Sequence, residues 1–387
     1  MKNNPHVDKI YILIYILPLT MVFISTLASL YGFKNPLINF LLNIRGLSII
    51  IISFFGYLLA RNGKCSKLSV IALLFSCYMM LVTIVSDSDV SFLIAFSTIF
   101  FWSFTLWIAE KSYFTTETYR FTALIVAIAC NIMSVLYVYA KNSGIFLSLD
   151  NVQAVGAINS IYLILSLFSF IFLVENRVLQ IVLFIFPLLA FITSFKSTCL
   201  VAASLSLLYY YRVDIVNSKH KWKFFLIVLF ICFLFLLSFS KFINLSEIFS
   251  SFNEDLDSGG NGRIEHFIYV LDLFMKKNFE EQFLGSGLMA VASDTYLSAH
   301  NDFIEVLYDY GILGIIIFIV FWRQLFLRRR LLKSDKRVCS AYMVSLVIFF
   351  TVCLTSNFII SQIQMLFFSL LWGTITKFIN YKYNSLQ

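Results

Sequence analysis

The sequence predicts an all-α polytopic integral membrane protein of about 12 transmembrane helices with one large loop on the outer side. Three observations carry this. Of 387 residues, 60% are hydrophobic and 13% are charged, against the roughly 25% charge that a soluble domain needs to coat itself. Apolar runs reach roughly 18 to 22 residues, the length that crosses about 30 Å of hydrocarbon. Phe occurs 44 times and Pro only 4 times. That composition suits long uninterrupted helices, whereas a barrel shows alternating segments of about ten residues.

Apolar windows place candidate spans near 10–31, 37–60, 68–85, 90–109, 119–140, 155–174, 178–194, 197–211, 223–240, 302–326, 340–357 and 361–379. The first follows a basic start, MKNNPHVDKI, with no small-x-small cleavage signal behind it, so an uncleaved helix is expected. With the N-terminus in the cytoplasm and the spans alternating, 21 Lys and Arg residues fall in inner segments and seven in outer ones. Cytoplasmic loops collect Lys and Arg, so this orientation, with both termini cytoplasmic, is the expected one. RQLFLRRRLLKSDKR, residues 323–337, is its strongest anchor. The net charge of +8 is thus mostly topological. The basic residues sit beside spans and are not gathered on one soluble face, so no nucleic-acid partner is expected.

The seven cysteines form no CxxC pair and most lie inside apolar runs. They read as small hydrophobes rather than a disulfide framework or a metal site.

Residues 1–240 form the N-terminal group of transmembrane helices, 241–301 the large hydrophilic loop, and 302–387 the C-terminal transmembrane helices. The loop carries nine acidic and four basic residues. Within it, Ile264, Phe267, Val270, Leu271 and Phe274 of RIEHFIYVLDLFMKK recur at helical spacing. They predict a short amphipathic helix over the outer mouth of the bundle. FLGSGL, 283–288, predicts a tight glycine turn. DSGGNGR, 257–263, is a turn-then-helix signal, since glycines permit φ > 0. The glycines alone equally suit an ordinary flexible loop.

Arg263 and His266 are spaced i, i+3 and can share a helix face. Arg263 could simply pair with Glu265 or Asp257. Beside a helix start, a permanently charged guanidinium fork also suits an anion such as a phosphate.

SAHNDFIEVLYDYGILG, 298–314, decides between these readings. Taken with Gly262-Arg263, FLGSGL and the flanking spans, AHNDFIEVLYDYG (299–311) resembles the O-antigen ligase and polymerase superfamily of bacterial envelope proteins. The motif-level resemblance covers roughly 262–314; elsewhere it is topological. It implies a lipid-linked-oligosaccharide-dependent glycosyltransferase in the bacterial inner membrane, with its large loop and active site facing the periplasm. The substrate implied is an oligosaccharide on undecaprenyl diphosphate, and the process is lipopolysaccharide biosynthesis. The diphosphate is already a good leaving group. The enzyme must therefore supply charge stabilisation and a base for the acceptor hydroxyl, and no cofactor is expected.

The resemblance makes Arg263 and His300 the catalytic candidates, with His300 a base or a donor to a phosphate oxygen. Lys196, His266 and Asn301 are candidates for the diphosphate and substrate. In SFKST, 194–198, Lys196 stands where family members more usually carry arginine, and lysine acts only as a point charge. Arg45, inside a span, is costly in lipid; it faces a cavity or partner, or it snorkels. Glu305 and Asp309 fall on one stripe with Asp302 in the first two turns of a span. Both are expected to line the polar cavity of His300.

Polymerase is the expected activity, joining one repeat unit to a chain on another lipid diphosphate. A ligase, passing finished chains to lipid A–core, has the same motifs. Two readings from other directions stay open. Asp87 and Asp89 of SDSDV could hold a divalent metal beside a diphosphate, although two acids in a short turn also suit solvation alone. A lipid-linked glycan transporter or flippase suits the span count, but no repeat relates the two halves. A chain-length regulator is a possible partner.

Overall fold

A computed structural model of the chain describes residues 15–16, 19–20, 23–24, 66–86, 90–111, 116–143, 159–194, 196–217, 263–332, 336–359 and 361–384. Among these residues there are helices and turns but no strand. We number the helices α1 (Lys67–Val85), α2 (Phe92–Lys111), α3 (Thr116–Asn142), α4 (Ile161–Phe168, extended by a 3₁₀ turn, Ser169–Leu173), α5 (Arg177–Thr193) and α6 (Ser197–Asn217). They continue as α7 (Arg263–Lys276), α8 (Phe279–Leu284), α9 (Ala290–Thr295), α10 (Asp302–Arg328), α11 (Lys336–Cys353) and α12 (Gln362–Asn384). Candidate spans 10–31, for the most part, 37–60 and 223–240 lie outside the described residues, as do Arg45, Asp87, Asp89 and the glycines before Arg263.

Among the described residues, four helices are long and apolar enough to cross a membrane: Lys67–Val85, Phe92–Lys111, Thr118–Asn142 and Asp302–Arg328. Ile161–Leu173, Arg177–Thr193 and Arg337–Cys353 are apolar but shorter. Leu74, Leu81 and Ile84 on α1 and Ile316 and Ile319 on α10 are exposed. Helices of this length with exposed apolar surface suit lipid, and the protein is a membrane protein.

Hydroxyls and amides stitch the helices where apolar packing alone is indifferent to register. Ser76 Oγ of α1 donates to Ile99 O (2.9 Å) and Ser103 Oγ (2.8 Å) of α2. Pro187, inside α5, has no N–H, which leaves the carbonyl of Leu183 without its helical donor. Asn131 of α3 reaches across and donates to that carbonyl at 2.9 Å. Trp372 of α12 donates to Ser345 Oγ of α11 at 2.9 Å. Its ring meets Phe349 edge-on, and Trp322 of α10 stacks on the same phenylalanine, at centroid distances of 5.1 and 4.8 Å.

The segments sort to two ends. At one end Glu110, buried at the close of α2, accepts from Ser66 N, Ser66 Oγ and Ser69 Oγ at the start of α1. Arg328 lies in its field. Near that end Glu175 pairs with both Arg120 (2.9 Å) and Arg337 (3.0 Å). At the other end Thr83 and Ser86 of α1 meet the 285–288 turn.

Candidate functional site

Three helices begin close together at this second end. Lys196 precedes α6 and its carbonyl accepts from Cys199 N and Leu200 N. Arg263 is the first residue of α7, and His300 stands two residues before α10. The field of His300 is shaped by Arg263, Lys196 and His266, all cationic or cation-forming. Burial first, and then these neighbours, push its proton affinity below the ordinary value of 6.5. Burial and these neighbours therefore both favour the neutral imidazole of His300. Helix starts add fixed positive potential to the same region.

The local sequence aims His300. Asn301 caps α10, its Oδ1 accepting from Phe303 N (2.9 Å) and Ile304 N (3.2 Å). Its Nδ2 donates to Leu354 O at 3.1 Å. On the other side of the histidine, Ala299 N donates to Glu305 Oε2 at 2.7 Å. His300 is thus held between two anchored neighbours, in a left-handed conformation with φ 51°. Non-glycine residues held there cost about 1–3 kcal/mol and cluster at functional sites.

Arg263 Nη1 donates to Thr355 O at 3.2 Å, in the turn between α11 and α12. Its charge also reaches Tyr162 at the start of α4, whose hydroxyl interacts with Thr198 and Ser356. His266 lies one turn further along α7, and its buried Nε2 has no hydrogen-bond partner among the described residues. Arg263, His266, Lys196 and His300 thus come together, as an anion site requires. Sequence reasoning missed Tyr162, Thr198, Thr355 and Ser356. The only hint was hydroxyl residues crowded into turns beside spans, as in Thr355-Ser356-Asn357.

The carboxylates of α10 accept backbone amides. Asp302 is fully buried and its Oδ1 accepts from Phe358 N (2.8 Å) and Ile359 N (3.1 Å). Asp309 accepts from Met289 N and Val291 N, both at 3.0 Å, capping α9 from outside. The three acids pin the 285–301 segment and the α11–α12 turn onto the first turns of α10. Asp309→Ala is expected to strand the buried amide of Val291 and the half-buried amide of Met289 at a cost of about 3 kcal/mol. Limited proteolysis should then cut within 285–297 well before the rest of the chain.

The same segment locks onto a break in α10. Gly311 has φ 64° and ψ −170°, which interrupts the helix. The freed carbonyls find other donors: Gly287 N donates to Asp309 O (2.8 Å) and Tyr78 Oη to Tyr310 O (3.0 Å). Tyr78 Oη also reaches Leu284 O at 2.8 Å. A Cβ on Gly311 would fall 2.5 Å from Phe283 O and 2.7 Å from Gly285 N. A Cβ on Gly285 would strike Asp309 O and Tyr310. The FLGSGL turn and the Tyr-Gly of α10 are two halves of one backbone-to-backbone contact. Lys277 closes it, lying 3.7 Å above the Tyr308 ring and 2.5 Å from Ser286 Oγ.

Comparison with known families bears on this arrangement. Residues 181–319 match the O-Antigen ligase family model. The match supports the resemblance to the O-antigen ligase/polymerase-like superfamily that the motifs suggested. It extends back through α6 and into α5, so Lys196 lies in the matched segment with Arg263 and His300. The family match therefore spans all three helix starts that build the cationic site. No curated protein matches the chain.

Proposed function

We propose that the chain is a polymerase that joins undecaprenyl-diphosphate-linked repeat units at the periplasmic face by glycosyl transfer without a metal. The observation that carries this is the convergence of Arg263, Lys196, His266 and His300 in the segment matched to the family. In this reading Arg263 and Lys196 hold the donor diphosphate, with Arg45 and Asn301 completing the substrate contacts. Arg263 stabilises the negative charge that grows on the leaving oxygen as the glycosidic bond breaks. His300 accepts the proton of the acceptor hydroxyl. Asp309 and Glu305 support the site from behind by holding the segment that carries His300.

The test is an elongation assay with purified protein and a defined lipid-linked repeat. Longer glycan on lipid diphosphate supports the proposal; movement of intact units without bond formation overturns it. The ligase reading is kept because the matched family carries that description. Deletion separates the two: loss of a polymerase leaves core capped with a single repeat, loss of a ligase leaves core with none.

The reading also fixes a pH dependence. The lowered affinity of free His300 puts the acid limb of kcat/KM below pH 6.5. A bound diphosphate favours the protonated imidazole, so the acid limb of kcat should lie at higher pH than that of kcat/KM. Coincident limbs above 6.5 would remove His300 as the base.

A further inference from the structure

α7 carries two apolar faces, and the bundle uses only one of them. Val270 and Phe274 are buried with Val291, Ala299 and Tyr308. Ile264, Ile268, Leu271 and Met275 follow at offsets of four, three and four. At 100° per residue they lie within about 60° of one another, roughly a right angle away from the buried face. They are 57%, 63%, 38% and 71% exposed. Glu265, Asp272 and Lys276 occupy a third, narrow sector, with Lys276 paired to Asp272 at 2.5 Å. A helix docked on a protein in water places its charges across the whole unburied side. Here an aliphatic stripe separates the buried face from the charged one.

The contacts of α7 show where that stripe sits. Its first residue, Arg263, bonds Thr355 O in the turn that joins α11 to α12. Near its other end Phe274 packs on Tyr308 in the second turn of α10, with centroids 6.4 Å apart. Both ends of the helix therefore lie level with the ends of apolar helices, so α7 runs across the bundle and does not project from it. The apolar surface continues into Phe279, 81% exposed and stacked on Phe283 at 6.1 Å. The stripe has aliphatic side chains without the Trp, Tyr or Arg anchors that dominate protein interfaces.

We propose that α7 is a membrane-surface helix, its Ile264–Ile268–Leu271–Met275 stripe immersed among phospholipid acyl chains and its Glu265–Asp272–Lys276 stripe facing water. Such a three-sided pattern is what an amphipathic helix needs to rest both on protein and in the headgroup boundary. Immersion fixes the height of Arg263 and His266, on the same helix, relative to the bilayer. The proposal rests on the membrane reading of the bundle and not on the transferase reading, so it can fail while that reading stands.

The experiment places p-trifluoromethyl-phenylalanine singly at position 268, 275 or 272 of the full chain. Each protein is held in nanodiscs of phosphatidylethanolamine and phosphatidylglycerol. Dissolved oxygen concentrates in acyl chains, and a nickel chelate stays in water. Oxygen is expected to enhance ¹⁹F relaxation more than the chelate at 268 and 275, with the order reversed at 272. A chelate effect dominating at 268 and 275 overturns the proposal. Protection from both probes there also overturns it and points instead to a covering protein, such as a second copy of the chain.

Discussion

Arg263→Ala and His300→Ala are each expected to lower the proposed chain extension by about 10²–10⁴-fold, with protein level and membrane insertion unchanged. The two losses have different causes. Arg263 gives up a single hydrogen bond to Thr355 O, a folding cost of about 1 kcal/mol, but removes the permanent charge beside His300. Arg263→Lys should recover little, because a point charge cannot make the bidentate contact of a guanidinium fork. For His300 the sharper variant is His300→Asn. Asparagine tolerates the left-handed conformation at φ 51°, so the backbone persists while the base is lost. The double variant should fall little below either single one if the two act on one transition state. The readout is elongated product from a lipid-linked repeat, set beside thermal stability in detergent. Full activity in both alanine variants would falsify the assignment of the site.

Gly311→Ala is expected to be the most damaging small substitution in the described residues, costing at least about 3 kcal/mol. Two effects add. The conformation at φ 64°, ψ −170° is open essentially to glycine alone. The new methyl also meets Phe283 O at 2.5 Å, and backbone cannot rotate away as a flexible side chain can. Gly285→Ala attacks the same contact from the other side, against Asp309 O and Tyr310. The double variant should therefore destabilise by less than the sum of the singles. Thermal unfolding followed by size-exclusion in detergent measures this. Independent, additive losses would mean that the two glycines serve separate structures. Activity should fall with stability here, since the interlock holds the segment that ends in His300.

The span pattern was legible because its physics is local. An apolar run of sufficient length forms a helix in lipid whatever its neighbours do, and α1, α2, α3 and α10 lie where hydropathy put them. The helix over 263–276 was legible from periodicity, and Arg263, His266, Lys196 and His300 do come together. Glu305 and Asp309 show the boundary of that reasoning. Acids at the mouth of a span suggest a polar cavity, but each accepts backbone amides from a segment 6 to 20 residues upstream. Nothing in their own spacing names those partners. Tyr162 and Thr355 were invisible for the same reason, being ordinary residues until the packing of α4 and α11 brings them to Arg263.

Sequence alone determined that this chain lives in a membrane and where its four long apolar helices among the described residues run, because hydrophobicity belongs to residues singly. Only the tertiary structure decided that two glycine motifs are one interlock and that three helix starts lie near one another. The reason is that backbone close approach and the field at His300 are sums over residues up to about a hundred positions apart, from Lys196 to His300.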